Sequence, residues 1–371
     1  LHNAGTATRF LAAAALLAPP GTSIVIDGDA RMRQRPIEEL VRHLNILTDP
    51  HPCASYVGVE GYPPVRIDPD HTAWVSGMLQ VFGRTQSSQF VSAILLLAPF
   101  LPHGLNYTFS TSDITSRSYI EMTRGLLARV GVKFTAGARD EQIIHPVATS
   151  LPAFELDVEP DASGATYFHA MAALFPGARV TIPGLDLGPR GSLQGDTQFV
   201  RILTAMDAQA ERVGGGKTAG LRITGPDHLA PIDADLSDMP DTAMTAAVLC
   251  CFAEPTPDNP TATSTLRGLR TLRVKETDRL AALQTELNKL GARIEIIADN
   301  GDEALRITPP SPGSLDPTIP RSLLFDTYND HRMAMALALI GLRVPGVKIN
   351  NPGCVAKTYP GFWNDFARLY S

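Results

Sequence analysis

Five stretches of this chain are apolar at almost every position for about three helical turns. They are "NAGTATRFLAAAALLAPPG" from Asn3, "SSQFVSAILLLAPFLPHG" from Ser87, "DASGATYFHAMAALFPGA" from Asp161, "DTAMTAAVLCCFAEPTP" from Asp241 and "NDHRMAMALALIGLRVPG" from Asn329. Each opens on a small or polar turn and closes on Pro or Gly, residues that start and stop helices. A helix apolar on every face has no side for water, so the pattern predicts five helices enclosed by sheets or other helices. Their starts recur 74 to 88 residues apart.

Between them runs a second kind of helix, amphipathic and charged: "RPIEELVRHLNIL", "SRSYIEMTRGLLARVGVKF", "DTQFVRILTAMDAQAERVGG" and "KETDRLAALQTELNKLGARI". In the last, Leu280, Leu283, Leu287 and Leu290 form a one-sided apolar stripe at helical spacing. Short β-rich stretches follow the helices, among them "TSIVIDG", "LNYTFS", "ARVTIPG", "LRITG" and "GVKINN". The chain therefore reads as repeated units of about 80 residues, each with strands, one buried helix and one surface helix. Such units are too long for a solenoid and suit pseudo-symmetric globular domains. Counted in that rhythm, the sequence opens midway through a unit.

Composition changes this picture little. With 371 residues, 44% hydrophobic and 19% charged, the chain has material for two or three domains with true cores. A net charge of −6 argues against nucleic acid or an anionic membrane as partner, both of which need a basic face. The apolar runs stop at Pro short of a membrane span. Cys53, Cys250, Cys251 and Cys354 lack metal-ligand spacing; the adjacent pair Cys250 and Cys251 sits in an apolar run and reads as buried thiols, which fits a reducing, cytoplasmic setting.

The candidate chemistry lies at the helix starts. The first turn of a helix has unpaired N–H groups and partial positive charge, so it attracts anions as readily as it accepts an ordinary cap. Gly5 would admit an anion to the backbone, and Thr6 offers a cap or a hydroxyl. Cations cluster near these turns: Arg9, the trio Arg31, Arg33 and Arg35, then Lys275, Arg279, Arg332 and Lys357. Several of them beside Gly, Ser, Asn and Asp turns suggest a ligand with more than one phosphate or carboxylate. No Walker glycine loop or GxGxxG follows a strand, so nucleotide binding has no motif support. Asp241, Glu276 and Asp330 are the carboxylates to weigh. Asp238 and Asp241 read equally as helix caps, and His331 as a structural residue or an acid/base group.

The strings "NAGTATRFL", "RMRQRPI", "SSQFVSAILLLAP", "SRSYIEMT", "VEPDASGATYF", "DMPDTAMTAA", "RVKETDRL", "YNDHRMAMALAL" and "AKTYPGF" resemble, in order and spacing, the 5-enolpyruvylshikimate-3-phosphate synthase family. The resemblance implies an α+β fold of two domains, each built from βαβαββ units around buried parallel helices. It assigns 1–157 to an incomplete first domain and 158–371 to a second domain of three units, with the active site in the cleft between them. It implies transfer of the enolpyruvyl group of phosphoenolpyruvate to the 5-hydroxyl of shikimate 3-phosphate, releasing phosphate. These two small molecules would be the partners, with no cofactor and no metal, and the enzyme a monomer and a glyphosate target.

By motif match, Ser87, Ser88, Gln89, Ser116, Asp241, Thr271 and Lys275 would hold shikimate 3-phosphate, with Tyr119 stacked nearby. Gly5, Arg35, Gln89, Arg279, Arg332 and Lys357 would hold phosphoenolpyruvate. Asp241 would take the proton of the attacking hydroxyl, and Glu276 would transfer a proton at the enol carbon, with His331 and Lys357 as secondary catalytic candidates. The sequence departs from the family pattern at His2, where Gly is usual, and at Thr271, where some members have Asn. The roughly 80–90 residues that precede the "NAGTA" turn in the family, about one repeat unit, have no counterpart here. Two other readings stand beside this one. A chain lacking that segment would be a remnant that binds shikimate 3-phosphate without turnover, or one part of a multifunctional polypeptide. A UDP-N-acetylglucosamine enolpyruvyl transferase would need a reactive Cys near "RMRQRPI", where none stands.

Overall fold

A computed structural model describes residues 1–370 except 71–73, 75–78, 84, 112–113, 115, 139, 148–150, 186–190, 216–218, 312, 316–317, 320 and the side chain of Tyr370. The chain divides into two compact units. The first comprises Leu1–Asp157 together with Val274–Glu276, and the second Val158–Arg273 together with Thr277–Ser371. Among the described residues, no helix is long and apolar enough to cross a membrane.

The first unit contains the repeat twice. Its opening copy runs α1 (Gly5–Ala14), β1 (Ile24–Ile26), α2 (Glu38–Leu47), β2 (Ala54–Tyr56) and β3 (Val65–Ile67), with the strands ordered β1-β3-β2. The next runs β4 (Leu79–Phe82), α3 (Ser88–Leu97), β5 (Leu105–Phe109), α4 (Arg117–Arg129), β6 (Phe134–Ala136) and β7 (Gln142–Ile144). There β4 pairs parallel with β5, and the remaining pairs are antiparallel in the order β4-β5-β7-β6. Phe90, Val91, Ala93, Ile94 and Leu97 of α3 share one core with Leu40 and Leu44 of α2 and Tyr107 of β5.

The second unit contains three copies. They begin with α5 (Ala162–Ala173), β8 (Arg179–Pro183), α6 (Phe199–Ala205), β9 (Gln209–Val213) and β10 (Gly220–Thr224), ordered β8-β10-β9. The middle copy is β11 (Asp233–Asp235), α7 (Ala243–Cys250), β12 (Ser264–Arg267), α8 (Arg279–Lys289), β13 (Arg293–Asp299) and β14 (Asp302–Thr308). Its order, β11-β12-β14-β13 with a parallel first pair, repeats that of the β4–β7 sheet. The last copy is β15 (Leu323–Phe325), α9 (His331–Ala338), β16 (Val347–Ile349) and α10 (Phe362–Tyr370), again with a parallel first pair.

All five apolar stretches are thus helices: α1, α3, α5, α7 and α9. Every residue of α5 and α7 is buried, because neither carries a polar stripe that water could solvate. Cys250 and Cys251 lie in that interior, and burial pushes the Cys250 thiol up to about 12. α1 departs from the expectation. It packs on α3, yet Leu11 is 46% exposed and Ala14 and Leu17 face solvent as well. Uniform apolarity reports what a helix prefers, not which neighbours it has.

His169 sits inside α5 with its Nε2 3.3 Å from the Leu221 carbonyl, and burial pushes its pKa down to about 4. The unfolded chain, with His near 6.5, takes up that proton first as pH falls. Stability is therefore full above pH 6.5 and declines toward pH 4, by about 3 kcal/mol from this residue. Urea unfolding of His169→Phe should lose that slope between pH 6.5 and 4; an unchanged slope would refute the assignment.

Candidate active site

In the first unit the candidates gather at the starts of α1 and α3. No side chain caps α1; Ala4 stands at the cap position. The Thr6 hydroxyl accepts instead from Gln89 Nε2 at 2.9 Å, which ties the first turn of α1 to that of α3. Ser87 caps α3, its hydroxyl accepting the Gln89 N–H, and Ser88 is buried behind it. Gly5 is hemmed in by guanidinium groups. A Cβ there would lie 2.7 Å from both Arg35 Nη2 and Arg9 Nη1, so any side chain would push at least one of them away.

Arg35 is buried, and its partners fix its plane. Nη1 donates to Asn3 Oδ1 at 3.0 Å, Nε donates to the Val274 carbonyl at 3.2 Å, and Glu276 Oε1 stands 3.7 Å away. Arg31 donates to the Lys275 and Glu276 carbonyls at 3.0 and 3.1 Å. The segment of residues 274–276 is thereby stitched into the first unit. Arg9 is 3% exposed, donates to the Pro36 carbonyl at 3.0 Å and lies over the Phe90 ring. Burial and the charge of Arg35 hold its pKa below the ordinary value, while Glu276 acts the other way. Ser116 and Tyr119 belong to the start of α4. Ser116 is buried in a left-handed conformation, φ 49°, and its carbonyl accepts the Tyr119 N–H.

In the second unit the starts of α7, α8 and α9 carry one ion network. Arg279, 1% exposed, opens α8 and grips Asp330 with Nε at 2.8 Å and Nη2 at 3.3 Å. Its Nη1 donates to Asp241 Oδ1 at 3.0 Å, and the other oxygen of Asp241 meets Arg332 Nη2 at 3.0 Å. Asp330 also caps α9, accepting the Arg332 N–H. Of the two readings of Asp241, helix cap or functional carboxylate, the cap is not what is seen. α7 is preceded by a 3-10 turn, Pro240–Thr242, and its cap position is Thr242 with no side-chain bond. The carboxylate of Asp241 goes to two guanidinium groups because a charged partner holds it more strongly than backbone N–H would.

His331 is buried at the first position of α9, its Nδ1 3.7 Å from Asp330 Oδ1. Thr271, in the 3-10 turn Arg270–Val274, is buried, and its hydroxyl finds no hydrogen-bond partner among the described residues. Lys357 ends the 3-10 turn Pro352–Lys357 and is exposed. Sequence reasoning missed Tyr167. Its hydroxyl lies buried near Arg332, whose charge opposes the burial that lifts its pKa to about 12. A tyrosine in an apolar helix gives no signal other than core.

A sequence-family profile described as EPSP synthase (3-phosphoshikimate 1-carboxyvinyltransferase) matches residues 1–366. The chain belongs to the EPSP synthase family. It is 39% identical to the 3-phosphoshikimate 1-carboxyvinyltransferase of Thiobacillus denitrificans, over 100% of this chain and 79% of that protein. Identity to the enzyme of the same name from Idiomarina loihiensis is 37%, with the same coverage. Among solved structures, EPSP synthase from Acinetobacter baumannii superposes with a TM-score of 0.71 at 23% identity, covering 99% of this chain and 78% of that one. The enolpyruvyl transferase NikO from Streptomyces tendae gives 0.60 at 17% identity, over 90% and 71%. These two likenesses establish the α+β enolpyruvyl transferase fold.

In this EPSP synthase family member the Arg279–Asp330 pair is wholly buried, so losing one partner strands a charge. Asp330→Ala should lower the unfolding free energy of the second unit by about 3–5 kcal/mol, and Asp330→Asn, which can still cap and accept, by less. Urea midpoints measure this. A loss below about 1 kcal/mol in the alanine variant would show that the network carries little stability.

Proposed function

We propose that the chain transfers the enolpyruvyl group of phosphoenolpyruvate to the 5-hydroxyl of shikimate 3-phosphate and releases phosphate, a reading supported by relatives named 3-phosphoshikimate 1-carboxyvinyltransferase. The observation that carries the reading is the set of family-matching residues at helix starts, held there by buried ion pairs. Both substrates are multiply charged anions, which suits guanidinium groups beside unpaired helix N–H groups. We assign phosphoenolpyruvate to Gly5, Arg35 and Gln89 in the first unit and to Arg279, Arg332 and Lys357 in the second. Shikimate 3-phosphate goes to Ser87, Ser88, Gln89, Ser116, Tyr119 and Lys275, and to Asp241 and Thr271. The buried, unpaired hydroxyl of Thr271 supports a polar ligand at that position.

The enol phosphate of phosphoenolpyruvate is a weak electrophile until its methylene carbon is protonated. Glu276 is assigned that proton transfer, which leaves C2 of phosphoenolpyruvate cationic. Asp241 accepts the proton of the 5-hydroxyl as its oxygen bonds to C2, giving a tetrahedral ketal phosphate. Loss of a methyl proton then reforms the double bond as the C2–O bond to phosphate breaks. His331 and Lys357 are assigned supporting proton or charge roles. Two groups of opposite proton duty contribute on the order of 10⁴-fold together.

The rival chemistry through a thiol finds no support in the described cysteines. Cys53, Cys250 and Cys251 are buried and Cys354 is partly buried, and burial raises the pKa of all four, the reverse of what an attacking thiolate needs. A cytoplasmic monomer remains part of the proposal.

Phosphate release that requires both substrates tests turnover against a binding-only role. Asp241→Asn should cut kcat by about 10²–10⁴ while Lys357→Ala raises KM for phosphoenolpyruvate as well. Wild-type kinetics in either variant would sink its assignment.

A further inference from the structure

The turn between β15 and α9 has a backbone that its own residues do not favour. Tyr328 and Asn329 have φ of 53° and 57°, two successive left-handed residues, neither of them glycine. The three residues that follow are Asp330, His331 and Arg332, so this turn sets how α9 presents its first positions.

The forces that hold the turn come from α8. Glu286 is 1% exposed, and its carboxylate is directed at the turn rather than at the apolar core. Oε1 accepts the Tyr328 hydroxyl at 2.8 Å, and Oε2 accepts the Asp326 N–H at 2.9 Å together with the Lys289 ammonium. Asp326 in turn accepts the Tyr328 N–H at 3.0 Å, and Asn351 donates to the Asn329 side chain at 3.1 Å. A buried carboxylate is costly unless its oxygens are satisfied, and those of Glu286 are satisfied by a turn that would otherwise relax. Glu286 also lies seven residues after Arg279, two helical turns along the same face of α8. One helix thus holds the segment at both ends, Arg279 on Asp330 and Glu286 on Asp326 and Tyr328.

We infer that Glu286 and Tyr328 are positioning residues: they clamp the left-handed turn that aims Arg332, so affinity for phosphoenolpyruvate depends on a carboxylate that never touches it. The inference rests on the reading of Arg332 as a phosphoenolpyruvate ligand. Tyr328 is 37% exposed, and partial desolvation of its hydroxyl together with the Glu286 carboxylate lifts its pKa to about 12, so it remains a donor near neutral pH.

The test is steady-state kinetics and thermal melting of Tyr328→Phe, Glu286→Gln, the double variant Tyr328→Phe with Asn329→Gly, and Arg332→Ala. Tyr328→Phe should raise KM for phosphoenolpyruvate about tenfold, the size of one hydrogen bond to a charged group. Its kcat and KM for shikimate 3-phosphate should stay within about twofold. Glu286→Gln, which retains an acceptor oxygen for Tyr328, should give a smaller rise. Asn329→Gly removes what left-handed cost remains at that residue, at the loss of the Asn351 hydrogen bond, and should recover part of the loss in the double variant. A lowered melting temperature with an unchanged KM would overturn the inference, because the clamp would then serve stability alone. Equal loss in both KM values and in kcat would overturn it too, as would no recovery in the double variant. Arg332→Ala separates the two layers. If it leaves KM for phosphoenolpyruvate unchanged, the underlying reading fails and the inference with it; if it raises KM while Tyr328→Phe does not, only the clamp fails.

Discussion

One buried guanidinium organises the second unit. Arg279 is inside the protein because two carboxylates, Asp330 and Asp241, meet it there, and neither could be so placed without it. Its burial has a mechanical consequence. Asp330 is the cap of α9, Arg279 is the first residue of α8, and Asp241 stands just before α7, so a single network registers three helix starts against one another. Apolar packing between α7 and α9 is cohesive but non-directional. The ion network is directional, because a charge left unpaired in that interior is penalised heavily. The core supplies cohesion and the network supplies register.

The repeated unit explains why functional residues recur at the same kind of place. In the β4–β7 and β11–β14 sheets the strand order and the sense of each pairing are the same, so their buried helices begin at equivalent positions. Those beginnings have unpaired N–H groups, which makes each copy a prefabricated anion socket. The copies differ in how the socket is finished. Ser87, Asp161 and Asp330 cap their helices with their own side chains, whereas α1 has no cap and places Gly5 among arginines instead. An uncapped start surrounded by cations is the form of the unit best adapted to binding rather than to holding itself closed.

Most of this fold was readable from hydrophobic pattern alone, for a physical reason. Helices α5 and α7 have no polar stripe at all, and a sequence without periodicity over three turns has few other stable outcomes. The exposed side of α1 was not readable, since composition records preference for burial and not the presence of a neighbour. Within the site, residue types and the turns that hold them were legible, and pairings were not. Asp241 looked like a cap because caps are set by local spacing, but its two guanidinium partners lie 38 and 91 positions away along the chain. Glu276 was legible as a candidate acid, not as the carboxylate beside Arg35. Glu286 gave no signal, for on an amphipathic helix a glutamate reads as a solvated residue until the turn it holds is seen.

The two units also solve the problem of charge differently. In the second, Arg279 and Arg332 are matched by Asp241 and Asp330, a balanced set that can be buried. In the first, Arg9 and Arg35 crowd the start of α1 beside the Glu276 carboxylate, and burial together with the charge of Arg35 depresses the pKa of Arg9. Like charges held together where water is excluded repel strongly, and on the proposed assignment an anion at Gly5 would relieve that repulsion. A chain of net charge −6 can therefore bind multiply charged anions without contradiction. What matters is the local surplus of cations that the fold holds beside an open helix start, and the total charge of the surface has little say in it.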